Sequence, residues 1–139
     1  MILYLKLLTK CLAKEAVKKL QNDIDTTIEQ LKAAVRKFVH DRAWEKYHNP
    51  KDVAEAICIE AAELLEVFQW ASPDDTTSWK NMPSKLERVR EELADVFIYC
   101  LSIANVMDID ITEAVASKIK QNEKKYPPKE YYGKARALS

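Results

Sequence analysis

The sequence predicts an all-α fold, a helical bundle of four to five helices, on three observations. Its 139 residues include one Gly and five Pro, while Ala, Leu, Glu and Lys, all strong helix formers, are abundant. Apolar residues return at three- and four-residue steps through successive stretches of the chain. Capping and turn residues (Asn, Asp, Ser, Pro) gather between those stretches. A chain of this length forms one domain and buries most of its apolar surface unaided.

Residues 1–25 read as an N-terminal extension, with Met1–Leu20 an extra helix or an oligomer contact. Met1–Leu8 is apolar, but Lys6 interrupts it, no basic segment precedes it and no small-residue cleavage site follows. No stretch approaches the roughly 20 apolar residues of a spanning helix, so no membrane partner is expected. The main domain is placed at 26–128. Its first helix runs from about Thr26 to Arg42 on the stripe Ile24, Ile28, Leu31, Val35 and Phe38, with Thr26 and Glu29 as the expected capping box. Trp44 to His48 reads as a connector.

Asn49-Pro50 opens the second helix, Asn as N-cap and Pro at the first helical position, and the helix continues to about Trp70. Ser72 to Asp75 reads as a turn, and Thr76 to Pro83, with Trp79, as a loop or short helical turn. Ser84 and Glu87 suggest a second capping box, from which the third helix extends to about Met107. Asp108 to Asp110 forms the next turn and Thr112 to Lys125 the last helix. Pro127-Pro128 stops it, leaving 129–139 as an extended tail.

Charge excludes one function class. Lys and Arg together number 22, as do Asp and Glu, so a general nucleic-acid binder, which needs a basic excess, is not expected. Cys11, Cys58 and Cys100 form no C-x-x-C pair, and Cys58 and Cys100 read as reduced core residues of a cytoplasmic protein.

Function is sought in the acids. At about 100° per residue, Glu60 falls inside the arc of Val53, Ile57, Ala61, Leu64, Leu65 and Phe68. Glu63 lies on its shoulder near Trp70, and Glu66 points to the opposite side. On the third helix the arc is Leu86, Val89, Leu93, Val96, Cys100, Ile103, Ala104 and Met107, flanked by Glu92, Asp95 and Tyr99. On the last helix Lys118 and Asn122 stand among Ile111, Val115 and Ile119. An E-x-x-E pair on a helix is most often a solvated face. Two such pairs turned inward are different, because like charges at 4 Å repel by on the order of 4 kcal/mol at an effective dielectric near 20. A dication relieves that repulsion, and an all-carboxylate donor set suits Mg²⁺, with Mn²⁺ as the alternative. Mg²⁺ that keeps open positions points to phosphate chemistry.

Four stretches, in this order, carry a family resemblance: Arg42–Pro50, Glu63–Trp70, Glu91–Tyr99, and Ser117–Asn122 with Lys125-Tyr126-Pro127. Together with Glu60-x-x-Glu63 and Glu92-x-x-Asp95, they resemble the all-α nucleoside triphosphate pyrophosphatases, the MazG-like and dCTP-pyrophosphatase group, over roughly Thr26 to Pro128. The resemblance implies a MazG-like fold completed by dimerisation, a homodimer or dimer-based tetramer, and hydrolysis of a (deoxy)nucleoside triphosphate to monophosphate and pyrophosphate. It implies Glu60, Glu63, Glu92 and Asp95 as Mg²⁺ ligands, with Glu60 or Glu63 also taking the water's proton. Lys118 would meet phosphate, Asn122 the base or sugar, and Trp44, Trp70 and Tyr99 would line the nucleotide pocket. Ala62 stands where many relatives have Gly, and Val35 where some dCTP-specific ones have His. A non-catalytic helical interaction module on the same fold is the alternative.

Overall fold

A computed structural model describes residues 20–134 of the chain. The described residues are all-helical: α1 (Ile28–His40), α2 (Pro50–Phe68), α3 (Pro73–Ser78), α4 (Pro83–Val106), α5 (Ile111–Lys125) and α6 (Pro128–Tyr131), with single 3₁₀ turns at Glu45–Tyr47 and Trp79–Asn81. The reading of Met1–Leu20 lies outside them apart from Leu20. The chain divides into two compact units, one ending at Asp108 and the other beginning at Ile109.

In the first unit α4 is the central element. It packs along α2, along α1 and against the Trp79–Asn81 turn. Its core-facing residues explain the choice, since small Ser102 and Ala104 and the larger Leu101 are all buried and let neighbouring helices approach closely. Opposite them α2 buries Val53 (2 % exposed) and Val67. Asn105 ties α1 to α4: its Nδ2 donates to the Lys32 carbonyl at 2.9 Å, and Arg36 Nη2 donates to its Oδ1 at 3.0 Å.

Local chemistry fixes the helix starts, not always where the sequence suggests. The capping box of α1 is Thr27 with Gln30, one residue beyond the expected Thr26–Glu29 pair; Gln30 Oε1 accepts from the Thr27 amide at 2.7 Å. Thr26 Oγ1 instead accepts from the Gln21 amide. Asn49 caps α2 and Pro50 opens it, as expected. Ser72 to Asp75 is a helix start rather than a turn, because Ser72 and Asp75 form a reciprocal capping box with Pro73 at the first helical position of α3. The expected Ser84–Glu87 box is absent: α4 starts at Pro83, and Met82 caps it without a side-chain bond.

Two packing expectations also change. Leu65 points out, 70 % exposed, and Val67 takes its place in the core. Trp79, expected in a loop or short helical turn, opens the 3₁₀ turn and is buried, stacked on Phe68 with ring centroids 5.2 Å apart and with the Lys85 ammonium 4.8 Å from its ring centre. Cys58 is exposed rather than a core residue, and Cys100 is half-buried; both are free thiols. In the second unit Asp110 caps α5, which ends at Lys125 before the two prolines, and α6 with Gly133 replaces the start of the expected extended tail.

Candidate active site

Two helices deliver the acids. On α2, Glu60 follows Val53 by seven residues, two turns of the same buried stripe, so it is drawn in beside the core and is half-buried. Glu63, one turn further, is exposed. Glu92 on α4 is half-buried, and Asp95, one turn further, is exposed. Carboxylate oxygens of Glu60, Glu63 and Glu92 all lie within 4.8 Å of one another. Asp95 stands outside that trio but acts on it electrostatically. Glu66 is exposed, as its helical position predicts.

The trio is electrostatically strained. Burial, then the charges of Glu63, Asp95 and Glu92, hold the Glu60 carboxyl above the ordinary carboxylate value. Among the described residues none of the four acids forms an ion pair with Lys or Arg, whereas surface acids such as Glu29, Asp41 and Glu55 do. Ligands on opposite sides of one Mg²⁺ are separated by about 4.2 Å, so small side-chain rotations close this set around a hard cation. The donor chemistry therefore fits a divalent metal held by oxygen.

Beside the acids lies a cavity of about 610 Å³ between α1 and α4, whose lining includes Asp95, Tyr99, Trp44, Phe38, Val35 and Ser102. Asp95 thus belongs both to the acidic group and to the cavity wall. The aromatic side is organised by Phe38 and Trp44, edge to face at 5.9 Å, with the Arg42 guanidinium 3.6 Å from the Phe38 ring centre. A second cavity of about 440 Å³ shares Val35, Val39, His48 and Ser102 with the first, and adds Arg36, Glu45 and Asn105. His48 Nδ1 lies 3.0 Å from the Trp44 carbonyl, which can only accept, so Nδ1 carries the proton and Nε2 presents a lone pair when the ring is neutral. Glu45-x-x-His48 has the spacing of a di-iron ligand pair on a helix. Here it falls on a 3₁₀ turn, and Glu45 is engaged by His40 Nδ1 at 2.7 Å.

The expected site residues divide into three groups. Glu60, Glu63 and Glu92 meet, with Asp95 adjoining. Trp44 and Tyr99 line the cavity, but Trp70 does not; it follows α2 with φ of 70° and is 94 % exposed. Lys118 and Asn122 belong to the second unit, where both are exposed on α5 together with Val115 and Ile119. Sequence reasoning missed Phe38, His48 and Ser102 as cavity residues. A signal existed for Ser102: it follows Asp95 and Tyr99 by seven and three residues, the same face of α4.

A family model described as the MazG-like family matches residues 56–137. The chain is 33 % identical over 103 residues to dCTP pyrophosphatase 1 of Mus musculus and 32 % identical over 103 residues to that of Homo sapiens, covering 74 % of this chain and 61 % of each relative. It therefore spans less than two thirds of those relatives' length. The crystal structure of a pyrophosphatase from Archaeoglobus fulgidus superposes with a TM-score of 0.66 at 42 % identity, covering 78 % of this chain and 99 % of that one.

Proposed function

The chain belongs to the MazG-like family, and from that membership and the geometry of the acids we propose that it hydrolyses a (deoxy)nucleoside triphosphate to the monophosphate and pyrophosphate. The observation that carries this reading is the convergence of Glu60, Glu63 and Glu92 next to a cavity that Asp95 and two aromatic rings help to line. Pyrophosphatases and dCTP pyrophosphatases among the similar proteins support the reaction class.

In this reading Glu60, Glu63, Glu92 and Asp95 hold Mg²⁺, or Mn²⁺ in its place. Bound there, the cation supplies charge neutralisation for the phosphates and acidifies a water. The protein's own groups do the rest. Trp44 and Tyr99 frame the base on the apolar side of the cavity, where ring faces offer stacking. A water oxygen attacks the α-phosphorus, and the bond from that phosphorus to the oxygen bridging to the β-phosphate breaks. Pyrophosphate leaves with the bonding electron pair. Glu60 or Glu63 accepts the proton of the attacking water. Lys118 and Asn122 are assigned to phosphate and to the base or sugar through the family resemblance.

A homodimer or dimer-based tetramer belongs to the same proposal. It is supported by apolar residues that α2 and α4 leave exposed, among them Leu65, Leu93 and Phe97. The free thiols Cys58 and Cys100 are compatible with a reducing, cytoplasmic compartment. Among the described residues no helix is long and apolar enough to cross a membrane.

The test is pyrophosphate release from a panel of ribo- and deoxynucleoside triphosphates, in Mg²⁺ and in excess chelator. Release that requires Mg²⁺, and falls at least about 100-fold in Glu63→Gln and Asp95→Asn with helical circular dichroism retained, supports the reading. Folded wild-type protein that releases pyrophosphate from none of them refutes it and leaves the non-catalytic module.

A further inference from the structure

Ser102 is 3 % exposed, and its Oγ has no hydrogen-bond partner in the protein. That is unusual chemistry for a helix. A serine inside an α-helix ordinarily bonds back to a carbonyl one turn earlier, and almost every buried hydroxyl finds a partner. Among the described residues this is the one buried side-chain polar atom left unpaired. It also sits at a particular place. Ser102 lines both cavities between α1 and α4, so it stands in their shared wall with Val35, Val39 and His48. On the same face of α4 lie Tyr99 and Asp95, one and two turns nearer the acidic trio.

We propose that Ser102 is a specificity-determining residue, whose hydroxyl hydrogen-bonds the polar edge of the nucleobase held in this recess. The inference rests on the triphosphate reading above and adds a residue that reads the base. Around that point the recess is lined by Val35, Val39 and Leu101, with His48 the other polar side chain in the wall the two cavities share. Such a wall accepts any flat ring by contact and distinguishes poorly between exocyclic groups. One hydroxyl with no protein partner changes that, because it gains a bond only from a base that presents a matching group. It donates and accepts, and, closed off from the recess in this rotamer, it meets the base by turning about χ1. Its separation from the acids along α4 divides the work, with charge at one end and base at the other.

Ser102→Ala removes the hydroxyl and keeps a good helix former. The experiment compares kcat/KM for dCTP and dUTP, which differ at C4 and the adjoining ring nitrogen, in wild type and variant, together with the Tm of the metal-free proteins. The wild type is expected to discriminate between the two. Ser102→Ala is expected to shrink that ratio by about tenfold, the size of one neutral hydrogen bond, with no loss of Tm. Ser102→Thr, which keeps the hydroxyl, is expected to retain more of the ratio than Ala does. An unchanged ratio, or a lowered Tm with the ratio intact, overturns the proposal, since the hydroxyl then serves the helix. Should the wild type hydrolyse nothing, the pyrophosphatase reading falls by itself. The base-reading role is then judged by thermal shifts with dCMP and dUMP: a difference between them that Ser102→Ala removes supports it, and equal or absent shifts overturn it.

Discussion

Glu60 is the residue on which the proposed chemistry turns. Its place on the buried stripe of α2 takes it partly out of water, and Glu63, Asp95 and Glu92 add negative charge around it. The folded, metal-free chain therefore binds a proton there more tightly than the unfolded chain does. The associated stability is complete below the ordinary value of 4.5 and is lost as pH rises through the elevated folded value. Glu60→Gln is accordingly expected to raise the Tm of metal-free protein at neutral pH, to leave it unchanged well below pH 4.5, and to weaken the thermal shift produced by Mg²⁺. Calorimetry with and without chelator reads all three. Trp70 presents the opposite situation. Its left-handed backbone conformation is uncommon for a bulky residue and costs on the order of 1–3 kcal/mol, while its ring finds almost no contact within the chain. The family resemblance assigned it to the nucleotide pocket; among the described residues it lines neither of the two cavities.

Among the elements, α2 and α4 begin differently although both open with Pro. Asn49 Oδ1 accepts from the Asp52 amide at 3.1 Å, so Asn49→Ala is expected to cost about 1 kcal/mol in chemical denaturation. Ser84→Ala is expected to change stability by less than about 0.5 kcal/mol, because Ser84 lies one residue inside α4 and caps nothing. Comparable losses from both substitutions would refute the assigned helix start. The general pattern is instructive. Asn49-Pro50 could be read from sequence because both residues favour the same boundary. Thr26 and Thr27 are adjacent, each with a polar residue three positions on, and nothing local separates the two registers. Trp79 was legible as an aromatic but not as an anchor, since its stacking partner Phe68 becomes a neighbour only when α3 turns the chain back.

At the scale of the whole molecule, the first unit is incompletely covered. Leu93, which sequence periodicity assigned to the core-facing stripe of the third helix, is 43 % exposed, and Phe97 one turn further is 56 % exposed. Removing such surface from water is worth roughly 25 cal/mol per Å² of apolar area, a sufficient incentive for a second copy to pack here. If the proposed dimer or tetramer forms through this face, Leu93→Lys and Phe97→Lys together are expected to convert it to monomer in analytical ultracentrifugation. A monomeric wild type at micromolar concentration would overturn the oligomer proposal.

The sequence by itself determined the all-α class, the four long helices and the half-buried place of Glu60, because each depends on composition and on periodicity within a single helix; Glu63, expected to turn inward with Glu60, is exposed. Glu60 facing the core and Glu66 facing solvent follow from 3.6 residues per turn, with no knowledge of neighbours. Only the tertiary structure decided that Glu92 comes from another helix to within reach of Glu60 and Glu63 and that Leu65 yields its core place to Val67. It alone shows that Ser102 stands unpaired between two cavities. Those facts depend on how α1, α2 and α4 cross, and a crossing is set by the packing of side chains far apart in sequence, which no single helix carries.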